Sequence, residues 1–394
     1  MPSSDTTAAW ISQAAAAAFD HVEQMAEETP NGIRWSTLDY RNEPFYDISI
    51  FDGVAGIALF LADYHGSTQS ERALELACGG YRWCLDQLQP NYDHSLYFGQ
   101  AGVAWLGLHL AQLEGQPALP KAAVEIGDRI LQEQPGPVTD IMGGAAGKGF
   151  YLRRLHQTSG NDQYLAGAVA QAQWLQQTAL WQGGLCYWPV NCDDLQQGYA
   201  LGAGHGIAGI GYFLLTLYAS TQDQRWAELA RSTASTLLDK AVPDQGGLNW
   251  PPSWHGGPAE LCQWCHGAPG VGLFFTYAYQ VLGETQYLET AQAAGRAVYA
   301  HGDIRSNPSQ CHGLAGNAEL FLELHRLDKT GPWLQYAVEF ARRAQSYHSA
   351  TEAGALWQSD DPGFHSPDFM CGAAGVGHFF LRLQQPDGVP RHFI

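Results

Sequence analysis

Two short stretches hold the most reactive combination of residue types in this chain: Cys265-His266-Gly267 and Cys311-His312-Gly313. Each sets a thiol beside an imidazole at the start of an apolar segment. Cys262 stands three positions before Cys265, so the first stretch also has the form of a Cys-x-x-Cys redox pair. Such a pair expects a βαβ setting, and the flanking sequence offers none. Two thiolates and an imidazole brought together from neighbouring elements suit Zn²⁺, and a Cys₂His set with an open fourth position is a catalytic arrangement. Cys265, Cys311 and His312 are the candidate ligands. Cys262 is read as a packed thiol, the alternative being a fourth ligand that would close the site. A substrate thiol entering an open position would lose its proton. A free thiol, with a pKa of about 8.5, is mostly protonated at neutral pH.

The elements that must position these residues repeat. A G-x-x-G pair opening an apolar run begins at Gly53, Gly99, Gly144, Gly206, Gly267, Gly313 and Gly372, at intervals of 46, 45, 62, 61, 46 and 59 residues. One such pair is a weak signal; seven in register define an architecture. The runs that follow, such as IGYFLLTL and VGLFFTYA, are apolar nearly all round and belong in an interior. Segments between them, such as DQRWAELARSTASTLLDKA, show 3.6-residue periodicity with one polar face. The expectation is an all-α fold, an α/α toroid of seven inner and seven outer helices, with the N-terminal Ala-rich helix as the first outer partner. The last apolar run is as apolar as the others, whereas an open solenoid would need polar caps; the ring is expected to close. The longer intervals carry QGGLCYWP, QGGLNWPP and AGALWQSD, read as turns or short hairpins at the end where the glycine pairs begin.

In this register the residues just before the glycine pairs are Asp52, Phe98, Gly143, His205, His266, His312 and Cys371. Three consecutive repeats place histidine at one mouth of the barrel.

Composition limits the rest. Hydrophobic residues make up 45% and charged residues 15% of 394, with a formal net charge of −19. That balance describes a globular chain with a large core and argues against a nucleic-acid partner. The N-terminus reads as an amphipathic helix without the positive region of a signal peptide. No apolar run approaches membrane-spanning length. Eight cysteines without an export signal point to reduced thiols and a cytoplasmic protein. The chain is expected to be one domain over 1–394, with residues 1–8 disordered.

WCHGAPG at 264–270 and CHGLAGN at 311–317, set in seven G-x-x-G repeats, resemble the lanthionine synthetase C-like family. The resemblance runs from about residue 35 to the end. It implies an α/α toroid with one zinc held by Cys265, Cys311 and His312. It also implies a catalytic histidine at His205, an acidic partner at Asp140 and a further active-site residue at His266. The family includes cyclases that add peptide cysteine thiols to dehydroalanine or dehydrobutyrine, forming thioether bridges in antibiotic peptides. By that resemblance the substrate is a dehydrated precursor peptide, and a separate dehydratase prepares it. Some cyclases carry an Arg shortly before the first zinc cysteine; PAELCQWC has no basic residue there. Other readings stay open: addition of glutathione to dehydroamino acids in proteins, or a zinc-bearing scaffold that binds peptide without turnover. Asp140 also reads as a helix cap, and His205 as a core histidine bonded to a carbonyl.

Overall fold

The computed structural model describes residues 4–116, 118–189, 198–351 and 354–394. Seven helices start at the glycine pairs: α2 (Val54–Thr68), α4 (Gln100–Leu113), α6 (Ala145–Ser159), α8 (Ile207–Thr221), α10 (Ala268–Leu282), α12 (Leu314–Leu327) and α14 (Ala373–Gln384). They alternate with α1 (Ser4–Gln24), α3 (Glu71–Gln87), α5 (Lys121–Gln132), α7 (Asp162–Thr178), α9 (Gln224–Lys240), α11 (Thr285–His301) and α13 (Trp333–Gln345). The first set forms the inner ring, each helix packing on the next, and α14 packs on both α12 and α2. The second set lies outside. The ring is closed, and the fold is an all-α double-layered toroid.

The outer layer corrects one detail. Each inner helix from α2 to α12 packs chiefly on the outer helix that follows it in sequence, not on the one before. α1 therefore covers chiefly α14 and only touches α2, where Phe19 stacks on Tyr64. One phase shift solves the ends: the first helix supplies the cover that the last would otherwise lack. α1 starts at Ser4, inside the stretch 1–8 expected to be disordered; residues 1–3, and the side chains of 4–8, lie outside the described residues.

The glycine pairs have a steric reason. The loop before each inner helix coils around its first turn. A Cβ on the second glycine of any pair would lie 1.7 to 2.6 Å from the carbonyl oxygen six positions earlier, closer than atoms can approach. In six repeats the amide after the first glycine donates to the carbonyl seven positions upstream, as in Val54 N→Asp47 O and Leu314 N→Asn307 O. Loop carbonyls thus satisfy helix amides that would otherwise lack partners. Repeat five differs: Gly267 takes φ +114°, and Ala268 N donates instead to the Asn249 side chain at 2.8 Å.

The same loops are joined side by side. At the position two before each glycine pair, Tyr97 N donates to Met142 O, Phe51 N to Tyr97 O, Met370 N to Phe51 O and Cys311 N to Met370 O, at 2.8–3.0 Å. This backbone belt ties repeats three, two, one, seven and six, and crosses the closure of the ring. Cys265 and Cys311 occupy that position in neighbouring repeats five and six.

Hairpins β5–β6 (Leu180–Gln182, Leu185–Tyr187), β7–β8 (Val242–Asp244, Gly247–Asn249) and β9–β10 (His348–Thr351, Gly354–Trp357) fall at the three expected places. Hairpin β1–β2 (Ala26–Thr29, Gly32–Trp35) and the short pair β3–β4 (Thr37–Leu38, Pro44–Phe45) were not read from the sequence, although Pro30-Asn31-Gly32 is a turn signal. Trp35, Trp188 and Trp250 each donate from Nε1 to the carbonyl 13 residues earlier, on α1, α7 and α9, at 2.6–2.8 Å. Each tryptophan pins its hairpin to the outer helix it leaves.

Candidate metal centre and proton-transfer pair

Because the loops before the inner helices follow one template, equivalent positions come out at one rim of the toroid. Cys265 and Cys311 are carried there by the position two before the glycine pair, His205, His266 and His312 by the next one. The Cys265 and Cys311 sulfurs and a ring nitrogen of His312 all lie within 4.8 Å of one another. Both cysteines are buried. Gln263 Nε2 donates to Cys265 Sγ at 3.1 Å.

His312 is held from behind. Its Nδ1 donates to Asp360 Oδ2, and Ser309 Oγ donates to Asp360 Oδ1 at 2.5 Å. A carboxylate behind a ligating histidine fixes the ring and its tautomer, so Nε2 is the nitrogen turned to the two sulfurs. Asp360 was missed in the sequence. It lies outside the repeat register, in the loop after β9–β10 that leads into α14, beside the repeat that carries His312.

The electrostatics of the three groups treat the two thiols differently. Burial opposes ionisation of Cys265, but the hydrogen bond from Cys311 and the charge of His312 offset it and hold that thiol well below its ordinary range. Burial, and then the Cys265 thiolate, push the Cys311 thiol up. Burial also disfavours a charged His312, yet the Cys265 thiolate and Asp360 push it up to about 10. With their protons lost, the trio offers two soft sulfur donors and one imidazole. That donor set fits zinc.

Cys371 lies near the trio: its sulfur, His312 and Asp360 also group within 4.8 Å. Its thiol is pushed well above the ordinary range by burial and by Asp360 and Asp368. Cys262 is buried but falls in neither group, and burial raises its thiol strongly.

His205 and Asp140 meet: Nδ1 to Oδ2 is 2.8 Å. The other oxygen, Oδ1, accepts from Gly143 N at 2.7 Å. Asp140 is not the helix cap; Gly144 takes that place without a side-chain bond. Equivalent turn closures occur at Ser49, Ser309 and Asp368. What sets Asp140 apart is that its second oxygen reaches a histidine of the next repeat. A carboxylate only accepts, so His205 Nδ1 carries the proton and Nε2 of the neutral ring is the basic nitrogen. The Phe98 ring stacks on His205 at 6.4 Å between centroids, with 9° between planes. Gly202 lets the Cys265 loop close in: a Cβ there would lie 2.0 Å from Cys265 O. The loops carrying the thiol and His205 are therefore in contact. His266 is largely buried. Burial lowers its basicity, with Cys265 opposing and His205 and His312 adding to the effect.

A family model described as lanthionine synthetase C-like protein matches residues 44–394. The chain belongs to the lanthionine synthetase C-like family. Among curated relatives it resembles zebrafish (Danio rerio) "Glutathione S-transferase LANCL1", 29% identical over 202 residues, 50% of this chain and 46% of that protein. It also resembles Arabidopsis thaliana "LanC-like protein GCL1", 26% identical over 320 residues, 76% of this chain and 70% of that protein. The match thus spans about half the length of the first relative and somewhat over two thirds of the second. Among solved structures the toroid superimposes on nisin cyclase with a TM-score of 0.68, over 87% of this chain and 90% of that one, at 18% identity. That likeness shows the shared fold of this family member. Among the described residues no helix is long and apolar enough to cross a membrane.

Proposed function

We propose that this lanthionine synthetase C-like chain is a zinc-dependent cyclase that adds peptide cysteine thiols to dehydroalanine or dehydrobutyrine in a dehydrated precursor peptide. The observation that carries the reading is the convergence of Cys265, Cys311 and His312 on one rim, with the His205–Asp140 pair on the adjoining loop. Cys265, Cys311 and His312 would hold the metal. Bound there, zinc supplies a position at which a peptide thiol loses its proton while thiolate ligands keep the sulfur electron-rich.

The remaining steps belong to the side chains. His205 Nε2 takes up the thiol proton. The peptide thiolate forms a C–S bond at the β-carbon of the dehydroamino acid; the C=C pair moves to the α-carbon, giving an enolate. His205 returns the proton to that carbon, so the reaction is an isomerisation with no net gain or loss of atoms. Asp140 holds His205 in the tautomer that leaves Nε2 basic and stabilises the ring while it carries charge. His266 lines the same rim and contributes to the field there. Phe98 limits the rotation of the His205 ring. A separate enzyme supplies the dehydrated peptide, and the reading places the protein in the cytoplasm.

The test counts thiols, since ring closure leaves mass unchanged. A dehydrated cysteine-containing peptide is incubated with the zinc-loaded chain and then alkylated. One adduct fewer per ring is the expected result. The zebrafish relative, named a glutathione S-transferase, favours a second reading in which glutathione is the thiol donor. In that case the peptide gains the mass of glutathione instead of losing an adduct.

A further inference from the structure

Apart from the exposed Pro390 and half-buried Arg391, residues 389–394 do not run over the surface. They enter the interior of the ring, where Val389, His392, Phe393 and Ile394 are at most 5% exposed. An interior segment with an arginine and a histidine is costly unless each charge or polar group finds a partner, and here the inner helices supply them. Arg382 Nη1 on α14 donates to Val389 O at 3.1 Å. His378 Nε2 meets Pro390 O at 3.2 Å. Arg391 Nη2 donates to Tyr212 Oη on α8 at 3.4 Å. His392 Nε2 meets Asp63 Oδ2 on α2 at 2.7 Å, and His109 Nε2 on α4 takes the other carboxylate oxygen at 2.9 Å. The segment therefore touches inner helices from well-separated parts of the ring.

Its last contact reaches the metal loop. Trp264 Nε1 donates to Ile394 O at 2.6 Å, and Trp264 immediately precedes Cys265. Phe393 lies 5.0 Å from the ring of Tyr97, a belt residue, and 5.2 Å from Trp105 on α4. Trp264 is buried, and its own carbonyl crowds Gly270 at the start of α10. Repeat five is also the one whose helix start departs from the common template. Its loop relies on other contacts, and the indole bond to Ile394 is one of them.

We infer that residues 389–394 are an internal prop that positions the Cys265 loop, so that metal affinity depends on a segment that supplies no ligand. The inference rests on the proposed metal centre for its functional meaning, while its structural half is independent of metal. Trp264 is thus a positioning residue, acting through the backbone of Cys265.

The test uses the full chain with Trp264→Phe, which keeps an aromatic ring and removes the donor, beside a chain ending at Gly388. Hydrogen exchange of 261–266 is read on metal-free protein, and zinc affinity by competition with a chromophoric chelator. Trp264→Phe should speed exchange of 261–266 about tenfold and weaken zinc by about tenfold, with α6 and α7 unchanged. The shortened chain should show the larger effect at the same segment. If it does not fold, Trp264→Phe alone decides. Wild-type exchange at 261–266 together with wild-type zinc affinity in Trp264→Phe would overturn the inference. Failure of the unsubstituted chain to bind zinc would instead overturn the metal centre, with the exchange result standing separately.

Discussion

Single residues divide here by what their second hydrogen bond does. Ser49, Asp140, Ser309 and Asp368 all close the turn before an inner helix. Only Asp140 also grips His205, so its substitution affects both the turn and the proton carrier. His205→Ala should retain zinc and lose roughly 10²–10⁴-fold in rate, the usual worth of a general acid–base. Asp140→Asn should lose less, because the amide can still close the turn. Single-turnover kinetics with metal analysis of the same samples separates the two effects, and a wild-type rate in His205→Ala would move the proton transfer to His266. Asp360 belongs to the same scale. With Asp360→Asn the His312 ring loses its anionic partner, and zinc affinity should fall about 10- to 100-fold in chelator competition; unchanged affinity would mean the carboxylate only packs. The ligand candidates, and His205 as a rim histidine, were read from their register with the glycine pairs, whereas Asp140 was named as its partner from the family resemblance. Asp360 was not legible, since it stands alone in a long loop and has no counterpart in another repeat.

Elements owe their shape to the loop that wraps each inner helix start. The second glycine is required by a close approach of backbone, not by helix propensity. Gly270→Ala tests this: its Cβ would meet Trp264 O at 2.0 Å, so the Cys265 loop must shift. The expected cost is about 1–3 kcal/mol of stability, with weaker zinc binding, measured by urea denaturation and chelator competition. A neutral outcome would show that the loop has slack. The all-apolar inner segments and the polar-faced outer ones were readable from periodicity. The phase between them was not, since every inner segment from α2 to α12 is flanked by an outer one on both sides. The three glycine-rich hairpins were readable from their turns. β1–β2 was missed because it has no repeat partner at an equal interval, although Trp35 uses the same bond as Trp188 and Trp250.

For the whole molecule, closure is the main property. α14 sits between α12 and α2, with α1 across it, and the belt bond from Met370 to Phe51 crosses the same seam. An open array of repeats frays from its ends. This ring has no free end repeat and should unfold in one transition, with circular dichroism and tryptophan fluorescence coincident in urea. Separate transitions, with α14 and α1 exchanging first, would argue against a closed unit. The site itself needs only neighbouring repeats: ligands from repeats five and six and Asp360 from the sixth interval meet because consecutive loops share one rim.

The central claim is that this rim holds one metal through two sulfurs and one imidazole. Native mass spectrometry of the zinc-loaded full chain tests it most directly. The wild-type chain should carry one zinc, and Cys311→Ala should carry almost none while keeping its helical circular dichroism. A full equivalent of zinc retained by folded Cys311→Ala, or none bound by the wild-type chain, would contradict the account.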